Sequence, residues 1–265
     1  MNAIFGKQSS GEESDAKEMS FLEHLEEFRW HIVKALLGIV LATILCSIYA
    51  DWIVQDLLMK PLRDAGMKAQ VLTPYGIVLL YMQAVLICGF IISMPNTLYW
   101  LWKFVAPGLM RRERRYVGWI VGLTSLCFFA GVAFAYVLLM PAALQFFAGF
   151  GTQNIDLNPA MDHYISFVLM LLVGSGLVFE LPMISYFLTK MGLLTPQFMK
   201  RYRRHSIVVI LVLAAVVTPS PDFITQGMLA VPMLLLYELS IHVSRITLRR
   251  KEAAHSAALQ EDSRS

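Results

Sequence analysis

The sequence predicts an all-α protein that crosses a lipid bilayer six times. Three observations predict it. Charge is scarce: 15% of the 265 residues are charged and 57% are hydrophobic, where an average soluble domain carries about 25% charged residues. The apolar residues are gathered into blocks. No charged side chain occurs from Tyr75 to Trp102 or from Tyr116 to Ile155, and a helix of about 20 apolar residues spans a ~30 Å hydrocarbon core. The basic residues alternate between loops. Lys103, Arg111, Arg112, Arg114 and Arg115 fall between spans 2 and 3. Lys190, Lys200, Arg201, Arg203 and Arg204 fall between spans 4 and 5, and Arg245, Arg249, Arg250 and Lys251 follow span 6. The intervening loops hold only Lys60, Arg63 and Lys68 in the first and no Lys or Arg in the other two. The positive-inside rule then places both termini in the cytoplasm.

The elements follow in order. Residues 1–18 are polar and read as a disordered cytoplasmic tail. No basic region leads into a short apolar core there, so the first span is expected to act as its own insertion signal. Ser20 and Glu23 form a capping box that starts an amphipathic helix. Phe21, Leu25, Phe28 and Ile32 line its apolar face and run into span 1, residues 31–50. A loop with Pro61 and Gly66 follows. Span 2 covers 75–103, with a kink at Pro95 because proline lacks the N–H that the helix needs. Tyr99, Trp100 and Trp102 are expected to form an interfacial aromatic cluster at its end. Span 3 covers 115–140 and stops at Pro141. Span 4 covers 162–190, interrupted by Glu180 and Pro182. Span 5 covers 205–218, and span 6 covers 223–243 after the turn Thr218–Asp222. Residues 19–245 thus form one membrane domain, and 246–265 a charged cytoplasmic tail. No internal repeat is visible.

Spans 5 and 6 look short. Each has about 14 residues before it meets charge or a breaker, roughly 21 Å of helix. Either the bilayer thins beside them or polar ends sit deep.

Catalytic signatures are missing. The chain has no GxxxxGK[ST], HExxH or GxSxG pattern. Its six histidines lack metal-ligand spacing and are expected at interfaces or in solvent. Cys46, Cys88 and Cys127 lie far apart without CxxC spacing and read as small core hydrophobes. No disulfide, metal, cofactor or nucleic-acid partner is expected.

Three acidic features stand out instead. Glu23, Glu26 and Glu27 share adjoining turns of one helix, where a solvated face is the plain alternative. Glu113 sits among four arginines, where a local ion pair is the plain alternative. Glu180 lies about 16 uncharged residues into span 4. A carboxylate at that depth costs several kcal/mol unless paired, hydrated or protonated, which marks it as functional unless a neighbouring helix satisfies it. A proton channel built on Glu180 would need a second deep polar partner, and none is visible. An intramembrane enzyme would need a nucleophile and a base, and Ser175 has no nearby histidine. A membrane scaffold without cargo recognition is the remaining rival.

The motifs themselves resemble a known family. His24-Leu25-Glu26-Glu27-Phe28-Arg29 looks like the HLxELR signature of the TatC family, with Phe28 in place of Leu. Phe104 through Arg114, with Pro107, Gly108, Leu109 and Glu113, resembles its FxxPGLxxxER motif. Phe179-Glu180-Leu181-Pro182 is similar to its FExP motif. The turn holding Pro219 and Asp222, with Gln226 just after it, resembles the turn between its last two spans. The likeness runs from about residue 20 to 245.

This resemblance implies a concave six-helix bundle in the inner membrane of a bacterium. It also implies a receptor, not an enzyme. The partners implied are twin-arginine signal peptides of folded cargo, single-span proteins of the TatA and TatB type, membrane lipid, and further copies of the chain, with transport driven by the proton-motive force. Carried onto this sequence, Glu27 and Glu113 are the carboxylates that meet the arginine pair, with His24, Arg29 and Arg114 beside them. Glu180 and Gln226 are the implied intramembrane polar contacts to partners.

Overall fold

The computed structural model describes residues 9–105, 117–149, 158–217 and 223–262, the side chains of 9–25, 27, 105, 117, 217, 224, 225 and most of 251–262 excepted. Helix follows helix along these residues. The nearest thing to a strand among them is one parallel bridge, Gln70 to Ala160.

Helix α1 runs from Ser9 to Ile48. It begins eleven residues before the capping box, so Ser20 lies inside the helix rather than at its start, and residues 9–18 are helical rather than disordered. Residues 12–18 explain this: Glu12, Glu13, Asp15 and Glu18 suit the positive end of a helix dipole, and Ala16 and Lys17 are good helix formers. Leu36, Leu37, Leu45 and Ile48 are all more than half exposed. Such a surface suits lipid, not water.

The segment expected as a loop after span 1 is mostly wound. It holds α2 (Ala50–Trp52), a π-helical stretch Ile53–Leu58 and α3 (Lys60–Asp64). Val54, Leu58 and Leu62 are fully buried. Tyr136 donates to the Leu57 carbonyl at 2.9 Å and Tyr164 to the Leu58 carbonyl at 2.7 Å, which fastens this cap to the spans below it. Gly66 closes the segment at φ +73°, in the left-handed region. The Gln70 backbone then exchanges hydrogen bonds with Pro159 and Met161.

Span 2 is broken as the proline predicts. Helix α4 (Gly76–Ile92) and α5 (Met94–Val105) meet at 51°, with Pro95 in the first turn of α5. Span 3 corrects the sequence reading. Helix α6 (Val117–Phe134) passes through a π turn, Ala135–Leu139, into α7 (Met140–Ala148). Pro141 does not end it, because a proline in the first turn of α7 gives up an N–H that the wider π turn leaves free. Span 4 comprises α8 (Met161–Val178) and α9 (Leu181–Met191), broken at Phe179–Glu180. Gly192 ends it at φ +83°.

A short α10 (Pro196–Arg201), capped by Thr195, leads to α11 (Arg203–Val217) and α12 (Phe223–Asp262). The charged tail after span 6 is therefore helical to Asp262. Four stretches are long and apolar enough to cross a bilayer: Phe28–Ile48, Gly118–Ala148, Met161–Met191 and Gln226–Arg250. The bent α4–α5 pair makes a fifth. Helix α11, with 15 residues, is the short sixth. Span 6 is not short. The stretch apolar enough to cross runs 25 residues, Gln226–Arg250, with Glu238 inside it and paired with Arg203 of α11.

Small residues let the helices approach. A Cβ on Gly38 would collide with Asn96, and one on Gly89 with Thr43, so α1 lies close against α5 and α4. Buried Thr189 on α9 bonds Ser244 on α12 at 2.6 Å. Between α1, α4 and α6 an apolar recess of about 1000 Å³ opens, walled by Leu45, Tyr49, Trp52, Phe129, Val132 and Tyr136.

Candidate functional site

The middle of α1 meets the end of α5. Phe28, in the first motif, packs its ring 4.7 Å from that of Phe104, the first residue of the second motif. His31 stands one turn further on, edge-on to Trp100 at 5.4 Å and 6.4 Å from Phe104. It is 7% exposed, so it is a core residue and not the interfacial one expected from sequence. Trp100 is the centre of the group. Its indole N–H donates to Asn96 at 3.1 Å, and Lys34 and Lys103 lie over its ring at 4.7 and 5.0 Å. Trp102 faces the other way. It is buried edge-on against Phe187, so the aromatic cluster expected at the interface loses that member to the core between α5 and α9.

Two motifs 76 positions apart in sequence are thus joined by ring contacts. Glu26, Phe28 and Arg29 are exposed beside that junction. The side chains of His24 and Glu27 lie outside the described residues, as do Pro107, Gly108, Leu109, Glu113 and Arg114, and also Pro219 and Asp222.

Glu180 is set by the break in span 4. Its backbone ends α8, with its N–H on the Leu177 carbonyl at 3.1 Å, and starts α9, with its carbonyl accepting from Ile184 at 2.9 Å. Buried Pro182 follows in the first turn. The side chain is 5% exposed, and Oε1 has no hydrogen-bond partner among the described residues. The interhelical hydrogen bond that would have made Glu180 structural is missing there. Ser175, one turn earlier, is fully engaged: it donates to the Gly131 carbonyl of α6 at 2.9 Å. That bond ties α8 to α6. Gln226 spans the two last helices, donating to the Leu211 carbonyl at 2.9 Å. The cysteines are free thiols, Cys46 and Cys88 buried and Cys127 half-buried.

Comparison with known proteins decides the family. The model of the family described as Sec-independent protein translocase protein (TatC) matches residues 23–232, most of the chain. The chain belongs to the TatC family. A TatC of Desulforapulum autotrophicum is 33% identical over 256 residues, 94% of each chain. A TatC of Aquifex aeolicus is 32% identical over 90% of this chain and all of its own. A solved structure titled as the twin arginine translocase receptor TatC superposes with a TM-score of 0.77 at 33% identity, over 84% of this chain and 99% of that one.

TatC membership makes the chain a component of the Sec-independent translocase, working with other Tat subunits, and not an enzyme. Together with the apolar helices it makes the chain a multi-pass inner-membrane protein. All four motifs that carry the resemblance lie within the matched residues. Sequence reasoning missed the Phe28–Phe104 and His31–Trp100 contacts. A signal was available: Phe28 and His31 lie three apart, so they share a face of α1.

Proposed function

We propose that this TatC chain is the receptor that binds the twin-arginine signal peptide of folded cargo on the cytoplasmic face. Glu27 and Glu113 accept the two guanidinium forks, with His24, Arg29 and Arg114 completing the surface. Arginine suits this role because its planar fork meets a carboxylate through two hydrogen bonds, which lysine cannot do. The observation that supports the proposal is the Phe28–Phe104 contact, which joins the first motif to the first residue of the second. The basic loops support an arrangement with both termini cytoplasmic.

Magnitudes divide the labour. An exposed ion pair contributes about 0.2–1 kcal/mol, and a micromolar complex needs about 8 kcal/mol. Two such pairs select the peptide but do not hold it. Burial of its apolar stretch, at about 0.8 kcal/mol per CH₂, supplies most of the affinity, and the recess walled by Leu45, Trp52 and Phe129 is apolar enough to take it. Glu180 and Gln226 serve as intramembrane contacts for TatA- and TatB-type subunits, further copies of the chain complete the complex, and the proton-motive force drives transport.

The test is photo-crosslinking from positions 27 and 113 to a twin-arginine precursor and to a twin-lysine control with the same apolar stretch. Strong crosslinks to the first and weak but measurable ones to the second are expected. Equal crosslinking, or none to either, overturns the receptor reading.

A further inference from the structure

A second charged site lies away from the motifs. Pro196, Gln197 and Lys200 of α10 and Arg245, Leu248 and Arg249 of α12 enclose a pocket of about 280 Å³. Its three charges are all positive. Arg245 and Arg249 lie one turn apart on α12, a spacing at which like charges repel, and Lys200 faces them from α10. None of the three has an ion pair or a hydrogen-bond partner among the described residues.

Several other cations have partners. Arg203 is paired with Glu238, Lys190 bonds Tyr186, and Lys34 and Lys103 lie over Trp100. The pocket gathers three cations that have no counter-charge among the described residues. Arg245 is half-buried and so partly removed from water, which raises the cost of leaving it without a counter-charge.

The position of the pocket names the ligand. Arg245 and Arg249 fall in the last turns of the apolar stretch Gln226–Arg250, and α10 begins five residues after the apolar stretch Met161–Met191 ends. Both elements therefore leave the hydrocarbon at this level. Leu193, three residues before α10, and Ile246, next to Arg245, are 71% and 54% exposed, apolar surface that suits acyl chains. Basic pockets between spans on the positively charged side of a membrane protein suit lipid phosphates. We propose that Lys200, Arg245 and Arg249 bind the phosphodiester headgroup of an anionic phospholipid in the leaflet next to the basic loops. The ligand ties α10, and through it the start of α11, to α12.

The test is native mass spectrometry of the purified full chain with phosphatidylglycerol, with phosphatidylcholine, and with inorganic phosphate as a competitor. The wild type is expected to retain one phosphatidylglycerol in preference to phosphatidylcholine. Each lost cation weakens binding about fivefold, so Lys200→Gln is expected to cost about that and the double variant R245Q/R249Q more. Lys200 lies exposed on α10, so its variant keeps the test open if the double variant does not fold. R201Q/R204Q, outside the pocket, is expected to bind as wild type. Equal retention of phosphatidylcholine, or an unaltered Lys200→Gln, overturns the proposal. So does equal loss in the R201Q/R204Q control, which means diffuse surface charge, or displacement of the lipid by equimolar inorganic phosphate, which means a free-anion site.

Discussion

Arg203 at the start of α11 donates through Nε to Glu238 of α12 at 2.6 Å, and a terminal guanidinium nitrogen reaches the same oxygen. The pair closes the helix that is too short against the one that is not. Both side chains are about half exposed, so water screens them. A double-mutant cycle with Arg203→Gln and Glu238→Gln in detergent is expected to give a coupling of about 0.2–1 kcal/mol that fades in high salt. Additive effects on thermal unfolding mean that the pair does nothing for the fold.

Phe28 and Phe104 are expected to act as a unit. Their rings contribute about 0.5–1.5 kcal/mol beyond area burial, and nothing else described joins the two motif faces as directly. Phe28→Ala and Phe104→Ala should each lower crosslinking of a twin-arginine precursor at position 27, and the double variant should be little worse than either single one. Phe28→Leu is expected to keep more binding than Phe28→Ala. Losses that simply add leave the two motifs independent.

Close packing of α6 on α8 makes a sharper contrast. A Cβ on Gly131 would lie 2.7 Å from the Ser175 carbonyl oxygen and 2.9 Å from the Phe179 Cβ, with no flexible side-chain end to give way. A Cβ on Gly118 or Gly122, on the same helix, meets nothing within 4 Å. Gly131→Ala is expected to destabilise by about 1–3 kcal/mol, while Gly118→Ala and Gly122→Ala should be neutral or slightly stabilising. Ser175→Ala removes one interhelical hydrogen bond, about 0.6 kcal/mol in membrane proteins, and export should persist. Export abolished by Ser175→Ala in a folded protein would revive a catalytic role for it.

The spans were legible because lipid leaves a one-dimensional mark. Charge-free blocks and alternating basic loops need no tertiary knowledge, and Pro95 and Pro182 broke their helices where the missing N–H required. Pro141 misled because whether a proline ends a helix depends on the turn before it, and the π turn at Ala135–Leu139 is not written in any single residue. His31 and Trp102 misled for another reason. Polar-tipped aromatics at a span end suit either the interface or a neighbouring helix, and only the approach of α5 to α1 and α9 decides. Glu238 looked like the end of an apolar run because its partner Arg203 lies 35 positions away. The buried carboxylate of Glu180 at the break in span 4 was legible from depth alone, while the Phe28–Phe104 junction joins separate motifs that neither predicts by itself.

Helix α11 leads to the last expectation. Its 15 residues reach about 22 Å, against a hydrocarbon core of about 30 Å, and its start is fixed by the ion pair to α12 and by Ser206 on the Tyr237 hydroxyl at 2.9 Å. It cannot slide to cover the difference. The neighbouring α12 has a 25-residue stretch, Gln226–Arg250, apolar enough to cross, so the mismatch falls on the α11 side. The bilayer there is expected to thin, at fractions of a kcal/mol per Å, which would lower the barrier where cargo crosses. Inserting four leucines after Ala214, about one turn, relieves the mismatch without touching the Arg203–Glu238 pair. Export should fall while precursor crosslinking at position 27 persists. Unchanged export would leave the short helix a matter of snorkelling ends, and lost crosslinking would show that the insertion had disturbed the receptor face instead.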